Sequence, residues 1–72
     1  MLIVHSDRMG ISNTNTVTEI KLMGRYIRAY TVGDSHAIAA YETEERATAV
    51  FRNLMERCRL TQGDDVILLP EV

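Results

Sequence analysis

One segment of this chain, which begins at Thr43, places its apolar residues on a helical period. They recur at i, i+3, i+4, i+7, i+8 and i+11 and so share one stripe of a helix: Ala47, Val50, Phe51, Leu54, Met55 and Cys58. Thr43 is a suitable N-cap, and Glu44 and Glu45 follow in the first turn, where carboxylates interact favourably with the helix dipole. Gly63 marks the end of the segment. We therefore predict one amphipathic helix that buries this stripe.

The rest of the chain is dominated by short segments with strand patterns, at residues 2–5, 17–22, 25–32, 36–42 and 66–69. Segment 36–42 is apolar on both faces, as expected for a central strand or for a strand covered by a partner. Segment 66–69 is predicted to be a largely buried strand. Ile11 opens a polar stretch for which we expect irregular structure. The predicted fold class is α+β: a small antiparallel β-sheet of about five strands, in the order β-β-β-β-α-β, with the amphipathic helix packed on one face.

The length and the cysteine count limit how such a domain can be stabilised. With 72 residues the chain is predicted to form a single domain, residues 1–72, whose core gives only marginal stability. Cys58 is the only cysteine, so no disulfide forms within the chain, and Cys58, His5 and His36 lack the paired spacing of metal ligands. We therefore expect a homo-oligomer without a metal or other cofactor.

Charge and hydropathy bound the classes of partner. Eight Lys and Arg against ten Asp and Glu give a net charge of −2, which argues against binding of long nucleic acid through a basic surface. The 46% hydrophobic and 25% charged residues are typical of a folded domain, and no apolar run approaches the roughly 18 residues of a membrane span. We expect a soluble, cytoplasmic protein that does not bind membranes.

No arrangement of residues in the sequence indicates catalysis. Cys58 lies within the apolar stripe, where a thiol is more often a core residue than a nucleophile. His5 and His36 are separated by three predicted turns, and no Ser-His-Asp or Cys-His spacing is present. The glycines stand alone at turns, so there is no glycine-rich phosphate loop. We therefore expect a protein that is not an enzyme.

Residues 24–30, Gly-Arg-Tyr-Ile-Arg-Ala-Tyr, have the composition of a ligand-binding surface. On a strand, Tyr26, Arg28 and Tyr30 form a row on the face opposite Ile27 and Ala29. Nucleotide bases stack on tyrosine rings, each stack being worth about 1–3 kcal/mol, and arginine pairs with phosphate. Tyrosine and arginine are also enriched in protein–protein interfaces. From the residues alone, such a row is more often part of a protein–protein interface or a plain surface. Contact with a nucleotide remains an open alternative.

The stretch from Tyr41 to Ala47, Tyr-Glu-Thr-Glu-Glu-Arg-Ala, resembles a motif in a group of very small, largely uncharacterised proteins encoded by phages and prophages. In that group a strand ending in Tyr-x-Thr precedes a helix that opens with Glu-Arg-Ala, and an earlier strand ends in a Ser-x-Asp-like turn. Ser6-Asp7-Arg8 is a shortened version of that turn. The resemblance in layout covers most of the chain and implies a phage-type protein acting in the host cytoplasm.

Two functions follow from this resemblance, because small phage proteins that are not enzymes often act by binding. The first is a homo-oligomer that counters host defence by sequestering a nucleotide-like immune signal, as a sponge, and it is the function we predict. Its predicted ligand-binding residues lie on one strand and in turns: Tyr26, Arg28, Tyr30, Arg25, Arg8 and His36. The alternative is a protein-interaction module that inhibits a host defence protein by direct binding, or a phage structural or assembly protein.

Overall fold

The computed structural model describes residues 1–60 and 66–71, which form six strands and one helix. In chain order these are β1 Leu2–Val4, β2 Ile11–Asn13, β3 Glu19–Met23, β4 Tyr26–Thr31, β5 Asp34–Ala40, α1 Glu44–Leu60 and β6 Val66–Leu68. The α+β class is as predicted, with six strands rather than about five. The predicted helix-ending residue Gly63 lies outside the described residues.

The strands form two small sheets rather than the single sheet that was predicted. In the first sheet, of order β2-β1-β6, β1 pairs antiparallel with β2 and parallel with β6. The second sheet, of order β3-β4-β5, is antiparallel throughout. A hydrogen bond of 3.0 Å from the Ser6 amide to the Ile38 carbonyl oxygen joins the two sheets. The one-sheet prediction was wrong because alternation reveals strands but not which distant strands pair.

Strand β2 is the element that the sequence analysis missed. Its polar residues were expected to favour irregular structure, yet all three pair with β1, from Ile11 opposite Val4 to Asn13 opposite Leu2. The middle residue, Ser12, is buried and its hydroxyl is hydrogen-bonded to the side chains of His5 and His36. A polar residue can occupy an inward position of a strand when its hydrogen bonds are satisfied there.

Two tight turns shape the second sheet. Gly24, with φ of +63°, lies in the turn between β3 and β4, where Met23 pairs with Tyr26. Gly33, with φ of +86°, lies in the turn between β4 and β5. Glycine adopts positive φ without the steric cost that a Cβ imposes. Both turns were predicted from these glycines.

Strands β5 and β6 both lie at sheet edges. In β5 a register shift leaves Ile38 without a partner on β4, and both Ile38 and Ala39 are buried. This irregularity explains why the segment looks apolar on both faces although it is not central in its sheet. In the predicted segment 66–69, Ile67 and Leu69 are buried but Val66 and Leu68 are exposed, so the segment is half buried rather than largely buried.

Helix α1 begins as predicted. The Arg46 amide donates to the Thr43 hydroxyl at 3.1 Å, which makes Thr43 the N-cap. Five of the six stripe residues join the core cluster or pack against it: Ala47, Val50 and Leu54 are buried in it, and Phe51 and Cys58 pack against it partly buried. Met55 is exposed, so the buried stripe is narrower than the sequence indicates. The core cluster draws on both sheets and the helix: Ile3, Ile27, Ala29, Ile38, Ala39, Tyr41, Ala47, Val50, Leu54, Ile67 and Leu69.

Candidate functional site

The outer face of the second sheet carries the row of residues that the sequence singled out. Ile27 and Ala29 of β4 are fully buried, so strand alternation directs Tyr26, Arg28 and Tyr30 to the opposite face. The register with β3 then places Lys21 directly opposite Arg28. We call the residues at this surface and its adjoining turn the tyrosine–arginine face: Lys21, Arg25, Tyr26, Arg28 and Tyr30.

Cationic groups of this face lie over its two aromatic rings. The Lys21 Nζ is 5.6 Å from the centroid of the Tyr30 ring, and the Arg25 Cζ is 5.8 Å from the centroid of the Tyr26 ring. Both distances fall within the range of cation–π contacts. Between the rings, Arg28 Nη2 donates to the Ser35 hydroxyl at 3.2 Å. The face therefore presents three cationic side chains and two aromatic rings, and these contacts restrict where the side chains lie.

The charges on this face are only partly neutralised. Lys21 Nζ lies 3.4 Å from Glu19 Oε1, and both side chains are about half exposed. Within residues 1–60 and 66–71, no carboxylate lies within ion-pairing distance of the guanidinium groups of Arg25 or Arg28. An arginine without a carboxylate partner is free to pair with an anionic ligand.

The structure places His36 and Arg8 away from this face. His36 pairs with Ala29, whose side chain is buried on the other side of the sheet, and its ring centroid is 5.5 Å from that of His5. Arg8, in the turn after β1, donates through Nη1 to the carbonyl oxygens of His5 at 3.0 Å and Leu69 at 2.6 Å. Of the six residues predicted from sequence, Tyr26, Arg28, Tyr30 and Arg25 share one surface. That they bind a ligand stays a prediction.

A second polar cluster lies where the two sheets meet, and sequence reasoning did not find it. The Ser12 Oγ is 2.7 Å from His5 Nε2 and 3.3 Å from His36 Nε2. A hydroxyl carries one proton, so Ser12 donates to one imidazole and accepts from the other. These residues come together only through the pairing of β2 with β1 and the approach of β5. No spacing in the sequence could have indicated that these three side chains meet.

The environment of His5 keeps its ring in place and neutral. A Cβ on Gly10 would lie 2.5 Å from His5 Nδ1, so the backbone at this position packs directly on the imidazole. Burial lowers the pKa of His5 below its ordinary value; the neighbouring His36 lowers it further and Asp7 opposes the shift. A neutral imidazole can accept the Ser12 proton, but Ser12 is only 6% exposed, which leaves little room for a substrate. We therefore interpret the cluster as a polar link between the sheets.

An open, mostly apolar groove of about 510 Å³ runs between α1 and the segment leading into β3. Phe51 and Leu54 line it from the helix, with Val17 and Ile20 opposite and Cys58 at one end. Burial raises the pKa of the Cys58 thiol, and Arg57 only partly offsets this. The thiol is therefore protonated at neutral pH and a weak nucleophile. Thr14, Thr18 and Glu19 are its polar lining residues; the two threonine hydroxyls donate to the carbonyl oxygens of Met1 and Tyr30, and the Glu19 carboxylate lies beside Lys21.

No group of three or more His, Cys, Asp or Glu side chains suited to a metal ion occurs in the part of the chain that the structure describes. Across the same residues, α1 is not long and apolar enough to cross a lipid bilayer. No model of a protein family, no curated protein and no solved structure matches this chain.

Proposed function

We propose that the protein is a non-enzymatic binding protein, acting as a homo-oligomer, that holds a nucleotide-like ligand on the tyrosine–arginine face. The observation that carries the proposal is that Tyr26 and Tyr30 flank Arg28 on one accessible sheet surface. Arg28 has no carboxylate partner among the described residues. A nucleotide combines a flat base with an anionic phosphate, and these match a tyrosine ring and an unpaired guanidinium.

The spacing on β4 favours a ligand with two bases. Tyr26 and Tyr30 are four residues apart on one strand, which separates their Cα atoms by about 14 Å. Arg28 lies midway between the two tyrosines, and Lys21 lies directly opposite Arg28 on the neighbouring strand β3. The order along the strand is thus aromatic ring, cation, aromatic ring, which suits base, phosphate, base. The resemblance to phage-encoded proteins favours a nucleotide signal of host immunity, and sequestration of such a signal requires binding but no chemistry.

The proposal is tested by thermal unfolding of the purified chain with a panel of mononucleotides, cyclic dinucleotides and cyclic trinucleotides. We expect one class to raise the melting temperature by several degrees, because a ligand that binds only the folded state stabilises it. Arg28→Ala should abolish the shift. Arg52→Ala, which removes an exposed arginine from the helix surface, is the matched control and should keep it.

Substitutions of Tyr26 separate stacking from other contributions. Tyr26→Phe keeps the aromatic ring and should retain the thermal shift, whereas Tyr26→Leu should weaken ligand binding about tenfold through loss of one base stack. The proposal fails if no compound in the panel raises the melting temperature of the unmodified chain. It also fails if Arg28→Ala and Arg52→Ala bind the ligand equally well.

The apolar part of the same surface favours a second candidate, inhibition of a host protein by direct binding. Met23 and Tyr26 are about half exposed, and Ala37 on the neighbouring strand is exposed as well. Protein interfaces commonly centre on such aromatic and arginine residues. This candidate predicts that one host protein co-purifies in stoichiometric amount with the tagged chain and is lost with Tyr26→Leu, while no nucleotide raises the melting temperature.

A further inference from the structure

The outer face of the first sheet is aliphatic and continuous. Ile3, Ser12 and Ile67, the middle residues of its three strands, are buried, so the flanking residues point to the opposite face. The register aligns them across the strands into one surface, which we call the aliphatic face: Leu2, Val4, Ile11, Val66 and Leu68. The sixth outward position is Asn13, opposite Leu2.

Most of this face is accessible to solvent. Leu2 is 37% exposed, Ile11 63%, Val66 52% and Leu68 56%. None of the six outward positions carries a charge, in contrast to the outer face of the second sheet, which carries Glu19, Lys21 and Arg28. Single exposed aliphatic residues are common on protein surfaces, but a contiguous apolar patch marks an interaction site.

We propose that the aliphatic face packs against the same face of a second copy of this chain, giving a symmetric dimer of stacked sheets. The face is uncharged and aliphatic, so it is chemically complementary to a second copy of itself, and interfaces between identical subunits are more apolar than other interfaces. Interfaces between identical subunits also resemble a hydrophobic core cut in half. Because β1 is the central strand of its sheet, a two-fold axis through the interface packs β1 on β1 of the second copy.

The contact between the two copies would stabilise a chain whose own hydrophobic core is small. Among the eleven buried hydrophobic residues that the structure describes, three are alanines, Ala29, Ala39 and Ala47, which contribute little apolar volume. Packing a second copy on the first sheet would bury the four exposed aliphatic residues on each side. The dimer thereby supplies the stabilisation that chains of this size commonly take from association.

The area of the face sets the expected strength of the dimer. Three strands of three residues cover about 14 Å by about 10 Å, given the usual strand spacing and rise per residue. Such a face is smaller than the roughly 800 Å² that each partner buries in a standard stable interface. We therefore expect a weak dimer whose population depends on concentration.

This inference rests on the homo-oligomer part of the proposed function and not on its ligand. The tyrosine–arginine face belongs to the second sheet, so dimerisation through the first sheet leaves both ligand surfaces accessible. Dimerisation and nucleotide binding are measured separately, and either can fail while the other stands.

The test is sedimentation equilibrium of the full chain over a range from about 1 µM to about 500 µM, which covers dissociation constants typical of weak dimers. Ile11→Lys and Leu68→Lys place a charge within the proposed interface and should each raise the Kd at least about 100-fold. Both positions are exposed in the single chain, so the variants should fold, which circular dichroism of the helix verifies. Val32→Lys is the matched control, because Val32 is 92% exposed in the turn between β4 and β5 and lies off this face.

The dimer is supported if the wild type and Val32→Lys associate while Ile11→Lys and Leu68→Lys stay monomeric. Three results would overturn it. The wild type could remain monomeric at the highest concentration, the two lysine variants on the face could associate as tightly as the wild type, or Val32→Lys could weaken association as much as they do.

Discussion

His5 shows how one residue is defined by its contacts with four others, three from residues 8–12 and one from β5. Its Nε2 is hydrogen-bonded to Ser12, its ring lies beside His36, its backbone amide donates to the Gly10 carbonyl oxygen at 2.9 Å, and its own carbonyl oxygen accepts from Arg8. In the sequence His5 is a lone histidine after a short apolar run. Partial burial beside a second histidine lowers its pKa, so its protonation is less favourable in the folded chain than in the unfolded chain.

We predict that the chain loses stability as the pH falls through the range in which histidine titrates. The unfolded chain protonates His5 near its ordinary pKa of about 6.5, whereas burial and His36 lower the pKa of His5 in the folded chain. Between these two pKa values the unfolded state binds more protons, so the free energy of unfolding decreases as the pH drops below about 6.5. Urea denaturation followed by circular dichroism between about pH 7.5 and about pH 5.5 measures this slope.

Two variants identify the origin of that slope. His5→Gln cannot titrate in this range but can still hydrogen-bond to Ser12, and it should flatten the dependence on pH. His36→Ala removes the neighbouring imidazole and should reduce the slope without abolishing it, because burial is the larger cause of the shift. An unchanged slope in His5→Gln would show that another group is responsible.

The helix and the strands differ in how far their formation depends on residues that are close in the sequence. Helix α1 has its cap, its acidic first turn and its basic last turn within its own sequence, and it begins where these signals predict. Strands β1, β2 and β6 are three residues each and exist only through pairing with one another. Local patterns therefore predicted α1 and the hairpins of the second sheet well, but missed β2.

We predict that Thr43→Ala lowers the free energy of unfolding by about 1 kcal/mol, because the Arg46 amide loses its acceptor at the helix N-terminus. Thr43→Ser keeps a hydroxyl at the cap and should cost much less. Urea denaturation at neutral pH measures both.

Thr48→Ala is the matched control for the cap. The Thr48 hydroxyl donates to the Glu44 carbonyl oxygen at 2.8 Å within the helix, an interaction that adds little to helix stability. Alanine has the higher helix propensity, so this variant should be neutral or slightly stabilising. Equal losses in Thr43→Ala and Thr48→Ala would contradict a specific role of the cap.

At the scale of the whole molecule, a few contacts anchor the segment that follows β6. Tyr41, between β5 and α1, is buried, and its hydroxyl donates to the Pro70 carbonyl oxygen at 2.8 Å. The Leu69 amide donates to the Val4 carbonyl oxygen at 3.2 Å, which extends the pairing of the C-terminal segment with β1. Arg8 adds its hydrogen bond to Leu69. These contacts attach residues 69–71 to the rest of the fold.

We predict that Tyr41→Phe destabilises the chain by about 1–2 kcal/mol, since the buried hydroxyl is lost and the Pro70 carbonyl oxygen loses its donor. Hydrogen exchange should show reduced protection of the Leu69 amide. Tyr30→Phe removes a hydroxyl that donates only to the Met23 sulfur at an exposed site, and it should leave stability nearly unchanged. Equal protection of the Leu69 amide in Tyr41→Phe and the wild type would refute this role of Tyr41.

The sequence alone determined the α+β class, the helix and its cap, the two glycine turns and the placement of Tyr26, Arg28 and Tyr30 on one face of a strand. Each of these depends on propensity, periodicity or backbone freedom within a few neighbouring residues. Only the tertiary structure decided that the strands divide into two sheets, that β1 joins residues 11–13 to 66–68, and that Ser12 lies between His5 and His36. The physical reason is that pairing between distant strands depends on packing and hydrogen bonding across the whole molecule, which local patterns do not encode.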